Sequence, residues 1–173
     1  MAEGEILHGA GGFPLYGANG TILYATQITM SVSITVSWSD GNDLDLCAFY
    51  SHNQGVKVGW SYATGGVVYE LGDGFKVSWG GDNTQGGPEH ISLSYSGYNG
   101  LAGKRFEIHL NWFNPGEGHS GGDATVTATD AKGNSFSYTI MPAHTKSKAA
   151  GAGNPGVAIV FKRDGTLSGM EAA

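Results

Sequence analysis

Residues 27–38, QITMSVSITVSW, decide the fold class of this chain. Apolar residues alternate with serine and threonine throughout this stretch, as in a strand that buries one face and exposes the other. A helix would instead spread the same apolar residues around its whole circumference. The β-branched content also favours a strand. We therefore predict a long, half-buried strand here.

The same alternation recurs along most of the chain, in short segments separated by glycine-rich turns. We find no convincing amphipathic helix and no internal repeat strong enough to claim. The pattern predicts an all-β protein, an antiparallel β-sandwich of about eight or nine strands. Beyond the first strand, the predicted strands are 43–48, 67–71, 75–79, 91–95, 105–112, 124–129, 135–140 and 157–161.

Composition indicates one globular domain spanning residues 1–173, of which only 14% are charged. Within it, we predict that residues 146–155, KSKAAGAGNP, form a flexible loop. The formal net charge of −6 argues against nucleic-acid binding, which needs a cationic surface. Cys47 is the only cysteine, so no intrachain disulfide can form.

The amino-terminal residues lack a basic region followed by an apolar run, so we see no signal peptide. No apolar stretch is long enough to predict a membrane span. These features predict a cytoplasmic location.

Two acidic segments, DGNDLDL at residues 40–46 and GGDNTQGGPEH at residues 80–90, suggest a metal site. Carboxylate, amide and carbonyl oxygens are the ligands that Ca²⁺ prefers. No lysine or arginine lies between residues 40 and 51 to neutralise the first segment. On the residues alone, either segment could also be an ordinary solvated turn. We predict a calcium site with the ligands Asp40, Asn42, Asp43, Asp45, Asp82, Asn83 and Glu89.

These segments resemble the calcium-binding domains of the tellurium-resistance (TerD-type) proteins. The resemblance rests on DLDL at 43–46 followed by Ala48 and Phe49, GDNT at 81–84, and an acidic residue before 91–93. It implies a β-sandwich that binds Ca²⁺ in bacterial stress responses. The GPE sequence at 87–89 is similar to related bacterial sandwich domains that combine a D-x-D-L strand with a G-P-E loop.

Two further patterns bear on catalysis. Residues 118–122 match G-x-S-x-G, but the nucleophile elbow of α/β-hydrolases needs a strand before the serine and a helix after it. Here a loop precedes Ser120 and a predicted strand follows it. Glu107 and His109 share a strand face and could ligate a transition metal, although such outward pairs are more often only solvated. We predict that the protein is not an enzyme.

Aromatic residues near loops and strand ends form a second set of candidates, because exposed rings can stack on a sugar. They could equally cap the open ends of the sandwich. This candidate ligand-binding set is Trp60, Tyr62, Trp79 and Tyr98.

We therefore predict a calcium-binding, non-catalytic β-sandwich with a binding or stress-related scaffolding role. The alternatives are a lectin-like carbohydrate-binding module and a structural, self-assembling β-protein. A carbohydrate or protein partner and a homo-oligomer are both compatible with the sequence.

Overall fold

The computed structural model describes residues 4–9, 13–39, 41–113, 121–145 and 149–173, which form eleven strands and no helix. No helix in the described ranges could therefore cross a membrane. The strands are β1 (Ile28–Ser37), β2 (Asp43–Tyr50), β3 (Asn53–Val58), β4 (Val68–Gly72), β5 (Phe75–Trp79), β6 (Glu89–Gly97), β7 (Arg105–Phe113), β8 (Ala124–Asp130), β9 (Ser135–Ile140), β10 (Gly156–Phe161) and β11 (Leu167–Ala172).

The strands form two antiparallel sheets. One has six strands in the order β4-β5-β6-β1-β8-β9, and the other has five in the order β11-β10-β7-β2-β3. Their inner faces share one cluster of buried apolar side chains, including Ile34 and Leu93 from the first sheet and Leu46 and Trp112 from the second. The predicted antiparallel β-sandwich is confirmed.

Strand β1 lies at the centre of the six-stranded sheet, where it pairs with β6 and β8. Its apolar residues point inward, and Ile34 and Val36 are fully buried. The outer face of this sheet carries serine and threonine, and hydroxyls bond across strands, as between Thr127 and Ser137 at 2.8 Å. The alternating residues of β1 thus place apolar side chains in the core and polar side chains towards solvent.

Two strands, β3 and β11, were not predicted from the sequence. Both lie at an edge of the five-stranded sheet, with only one neighbouring strand. Edge strands bury little of their surface, and neither NQGVKV nor LSGMEA alternates clearly between apolar and polar residues. Without that periodicity the sequence carries no strand signal.

Strand β2 is buried on both faces. Leu44 and Leu46 enter the core, whereas Cys47 and Phe49 face outward and pack with Ala150. The segment 149–155 therefore covers part of the outer face of the five-stranded sheet. It is the described part of the loop predicted to be flexible, since residues 146–148 lie outside the described ranges. Its flexibility stays a prediction.

His109 is also covered, which corrects the expectation of a solvated Glu107–His109 pair. Only 4% of His109 is exposed. Its Nε2 lies 3.1 Å from Glu107 Oε2, and its Nδ1 lies 2.7 Å from the Asn154 carbonyl oxygen. Both ring nitrogens are engaged, so this pair offers no free nitrogen to a transition metal.

The turn after β3 requires glycine at position 59. Gly59 has φ of +121°, and a Cβ at this position would collide with the backbone carbonyl of Leu46. We expect Gly59→Ala to lower the free energy of unfolding by about 3 kcal/mol, since backbone strain and a backbone clash coincide. Chemical denaturation would measure it.

The control is Gly153→Ala, because no atom lies within 4 Å of the added carbon and Gly153 has no left-handed φ. Equal stability of the two variants would contradict this account of the turn.

Candidate metal centre

Three carboxylates meet at one end of the sandwich. Asp43 and Asp45 lie at the start of β2, and Asp82 lies in the loop between β5 and β6. One oxygen from each can be chosen so that all three lie within 4.8 Å of one another. Oxygens bound to one Ca²⁺ at about 2.3–2.6 Å are separated by up to about 5 Å. The spacing is that of a set of ligands around a single ion.

The alternation of β2 places two of these carboxylates together. Asp43 and Asp45 are two positions apart and point to the same outer face, while Leu44 and Leu46 enter the core. Strand β7 pairs with β2 and fixes the backbone of both acids, with Asp45 opposite Asn111. Only 2% of Asp45 is exposed. The core therefore anchors the two acids through the leucines that alternate with them.

Close contacts between glycines hold the loop that carries Asp82 against the loop between β3 and β4. A Cβ on Gly65 would lie 2.9 Å from the Gly81 Cα, so the two loops touch through their backbones. Gly66 N–H donates to the Trp79 carbonyl at 2.7 Å, and Gly80 N–H donates to the His90 carbonyl at 2.8 Å. The Gly65–Gly66 pair was missed in the sequence, although a glycine pair between two strands signals close backbone approach.

Two oxygens of the cluster have no hydrogen-bond partner among the residues that the structure describes. Asp43 Oδ1 and Asp45 Oδ2 are buried and accept no hydrogen bond within the described part of the chain. None of the ion pairs among those residues involves Asp43, Asp45 or Asp82. Buried polar atoms are nearly always satisfied in folded proteins, and a buried unpaired charge is costly. Within the described ranges, the cluster thus has no positively charged partner.

Burial raises the pKa values of all three acids, and repulsion between charges adds to the effect at Asp43 and Asp45. Burial raises the pKa of Asp45 to about 7, and the charges of Asp43 and Asp82 add to the effect. Burial, assisted by the charge of Asp82, raises the pKa of Asp43 to about 6. Burial also raises the pKa of Asp82. Holding all three ionised at neutral pH costs free energy that a bound cation would offset.

Glu89 lies behind the cluster and holds the loop. It is 2% exposed, and its Oε2 accepts a hydrogen bond from Trp79 Nε1 at 2.8 Å. Its Oε1 accepts one from the Asn83 backbone N–H at 3.1 Å. Burial raises the pKa of Glu89 to about 7, and the charges of Asp82 and Asp45 add to the effect. Both carboxylate oxygens of Glu89 are engaged. Because one of them binds the backbone of Asn83, the residue after Asp82, Glu89 is placed to position Asp82.

Two of the remaining predicted ligands, Asn83 and Asn42, take part in hydrogen bonds of the surrounding loops. The Asn83 side chain accepts a hydrogen bond from the Gln85 N–H at 3.3 Å and shapes the loop. The Asn42 carbonyl accepts one from Trp38 Nε1 at 2.9 Å. Asp40 lies outside the described residues. Within the described residues, the carboxylates that meet are those of Asp43, Asp45 and Asp82.

The four aromatic candidates do not form one surface. Trp79 is 3% exposed, so the prediction of an exposed ring there is wrong. Trp60 and Tyr62 are exposed near the acids, and the Trp60 ring lies 5.9 Å from that of Phe113, which pairs with Asp43. Tyr98 follows β6 at the opposite end of the sandwich. Only Trp60 and Tyr62 could meet the same ligand.

Cys47 is not prepared for nucleophilic chemistry. Cys47 is fully buried, and burial raises the pKa of its thiol to about 11. Nucleophilic cysteines instead have lowered pKa values. Ser120 lies outside the described residues, so its predicted lack of hydrolase activity stays a prediction.

Comparison with family models, with curated proteins and with solved structures gives no match to this chain. The resemblance to TerD-type domains stays a prediction. The geometry of the three carboxylates is therefore the basis for inferring function.

Proposed function

We propose that this protein is a non-catalytic, Ca²⁺-binding β-sandwich. One observation carries the proposal: Asp43 and Asp45 each bury an oxygen without a hydrogen-bond partner, beside the carboxylate of Asp82. A divalent cation would supply the missing partner to both oxygens at once. Asp43, Asp45 and Asp82 would be its protein ligands.

The donors favour Ca²⁺ over other common cations. All three are carboxylates, whereas zinc sites in proteins rely on cysteine and histidine. Mg²⁺ demands a near-ideal octahedron, while Ca²⁺ accepts six to eight oxygens in irregular arrangements. Backbone carbonyls and water would complete the coordination.

A cation at this position would join the two sheets. Asp43 and Asp45 belong to the five-stranded sheet, whereas Asp82 lies in a loop between two strands of the six-stranded sheet. Binding would hold this loop against β2 and stiffen one end of the sandwich. A rigid, ion-dependent surface suits a binding or scaffolding role in the cytoplasm, including the stress-related role that the TerD-type resemblance implies.

We expect saturating Ca²⁺ to raise the melting temperature of the chelator-treated protein by roughly 5–10 °C at pH 8. A ligand at 100 times its dissociation constant stabilises the native state by about 2.7 kcal/mol, and 1 kcal/mol shifts the melting temperature by about 2–4 °C at this chain length. Scanning calorimetry at increasing Ca²⁺ would measure the shift, and titration calorimetry would count the ions.

Asp45→Asn and Asp82→Asn should each abolish the calcium effect. Asp73→Asn is the matched control, since Asp73 lies in the turn between β4 and β5, at the other end of the sandwich. An unchanged melting curve of the wild-type protein in Ca²⁺ would refute the proposal. A response kept by both site variants would place the ion elsewhere.

The lectin-like alternative has weaker support. Sugar stacking needs exposed rings that face one ligand, and only Trp60 and Tyr62 satisfy that condition near the acids. The Tyr62 hydroxyl is already used, because it donates to the Ala150 carbonyl at 2.7 Å.

A further inference from the structure

Residues 5–28 contain an eight-residue repeat that the strand periodicity hides. The three copies are EILHGAGG from residue 5, FPLYGANG from residue 13 and TILYATQI from residue 21. Leucine occupies the third position of every copy, His8, Tyr16 or Tyr24 the fourth, and glycine or alanine the fifth. The expectation that the chain has no internal repeat is therefore wrong.

The three copies form a closed ring of backbone hydrogen bonds. Leu15 N–H donates to the Leu7 carbonyl at 2.8 Å, Leu23 N–H to Leu15 at 2.9 Å, and Leu7 N–H to Leu23 at 2.9 Å. Each copy thus bonds to both others, which gives the unit a pseudo-three-fold axis. We call residues 5–9, 13–17 and 21–25 the triad.

A second ring of bonds repeats the same symmetry. Gly9 N–H donates to the Phe13 carbonyl at 2.9 Å, Gly17 N–H to Thr21 at 2.8 Å, and Ala25 N–H to Glu5 at 2.7 Å. The isolated bridges follow the same cycle, joining Ile6 with Tyr24, His8 with Pro14 and Tyr16 with Ile22. Because the ring closes on itself, every copy is paired with both of the other copies.

The repeated side chains are exposed to nearly the same degree. The leucines at positions 7, 15 and 23 are 38%, 42% and 40% exposed, and Tyr16 and Tyr24 are 60% and 56% exposed. Seven of the thirteen large apolar side chains exposed in the described ranges belong to this segment. An apolar surface this concentrated marks an interaction site.

Folding explains only part of the repeat. Close packing favours a small fifth position, since a Cβ on Gly9 would lie 3.0 Å from Leu15 Cδ2 and one on Gly17 would make an ordinary contact of 3.4 Å with Leu23 Cδ2. Packing within the triad does not explain the exposed aromatic rings at the fourth position. Their repetition indicates that the copies meet equivalent surfaces on a partner.

We propose that the triad docks on the three-fold end of a homotrimeric protein, one copy of this chain per trimer. A cyclic trimer presents one surface three times around its axis, as the triad does. Glu5 is the only Asp, Glu, Lys or Arg in residues 4–26 and His8 is the only histidine there, so the matching surface is mainly apolar. The triad lies at the start of β1, at the opposite end from the metal centre.

A second copy of this chain is a poorer occupant. Strands advance about 3.3 Å per residue and lie about 4.8 Å apart, so one face of three five-residue segments covers on the order of 200 Å². Each partner of a stable pair covers about 800 Å². Two triads stacked face to face fall well short of that area. The end of a trimer can enclose the sides of the triad as well as one face.

The test uses the full-length protein in the cells that naturally produce it. A photo-crosslinking benzoylphenylalanine replaces Tyr16, and native mass spectrometry of the purified complex counts the copies. We expect one copy of this chain with three copies of one partner. A complex with one or two partner copies, self-association alone, or no complex from the folded protein would each overturn the proposal.

Substitutions test the equivalence of the three copies. Leu7→Glu, Leu15→Glu and Leu23→Glu should each lower the complex yield at least tenfold and to similar extents. Met141→Glu is the control, because Met141 is exposed to 60% outside the triad. Melting curves would show that the sandwich stays folded, and Tyr24→Ala gives a milder second probe of the triad. A loss confined to one copy would also contradict three-fold docking.

Discussion

Replacing Ile34 by serine lowers the free energy of unfolding by about 4–5 kcal/mol. Ile34 is fully buried at the centre of β1, between β6 and β8. The substitution removes a branched side chain, leaves a cavity and introduces a hydroxyl that needs a partner. Urea denaturation monitored by tryptophan fluorescence would measure the loss.

The neighbouring Ser33→Thr provides the control on the same strand. Ser33 points to the outer face and is exposed, so one added methyl should change stability by less than about 0.5 kcal/mol. Comparable effects at positions 33 and 34 would overturn the assignment of inner and outer faces in β1.

Without calcium, the protein becomes less stable as the pH rises from 5 to 8. Asp45 and Glu89 have pKa values of about 7 in the folded protein, against about 4 in an unfolded chain. Between pH 4 and 7 the folded state therefore binds more protons than the unfolded state, so rising pH favours unfolding until both groups have ionised. The expected loss is on the order of 3–5 kcal/mol.

Urea denaturation at each pH, in the presence of a chelator, would measure this slope. Asp45→Asn should flatten it, because the variant no longer ionises a buried carboxylate at this position. Calcium should reverse the trend, since only the ionised carboxylates bind the ion well. A metal-free protein that gains stability towards pH 8 would contradict the raised pKa values.

The fold was predictable because its central strands carry a strong periodic signal. In β1 every second residue enters the core, and that alternation survives in the sequence without interruption. The edge strands β3 and β11 were not predictable in this way, because exposed edges place few demands on side chains. The sequence therefore predicts the centre of each sheet better than its edges.

The proximity of two acids in the cluster was predictable because they are local in the sequence. Asp43 and Asp45 are neighbours on one strand face, so their proximity follows from the strand period. The role of Glu89 did not follow, because its engagement by Trp79 and Asn83 depends on the path of the whole loop. Long-range pairing of side chains leaves no periodic signal in a single sequence.

The triad was not predictable from the sequence for a different reason. Its three copies are only eight residues long and differ at most positions, as with Ile6, Pro14 and Ile22. Each copy alone resembles an ordinary turn-rich segment. The relation becomes evident only when the hydrogen bonds show that equivalent residues occupy equivalent places.

Strand β2 has no position that is free of constraint. Every residue from Leu44 to Tyr50 is buried, since one face lines the core and the other carries Asp45, Cys47 and Phe49. Most strands at a protein surface tolerate substitutions on the face that meets solvent, but β2 has no such face. We therefore expect β2 to accept few neutral substitutions. A substitution in this strand would change either the packing of the sandwich or the charge of its acidic cluster.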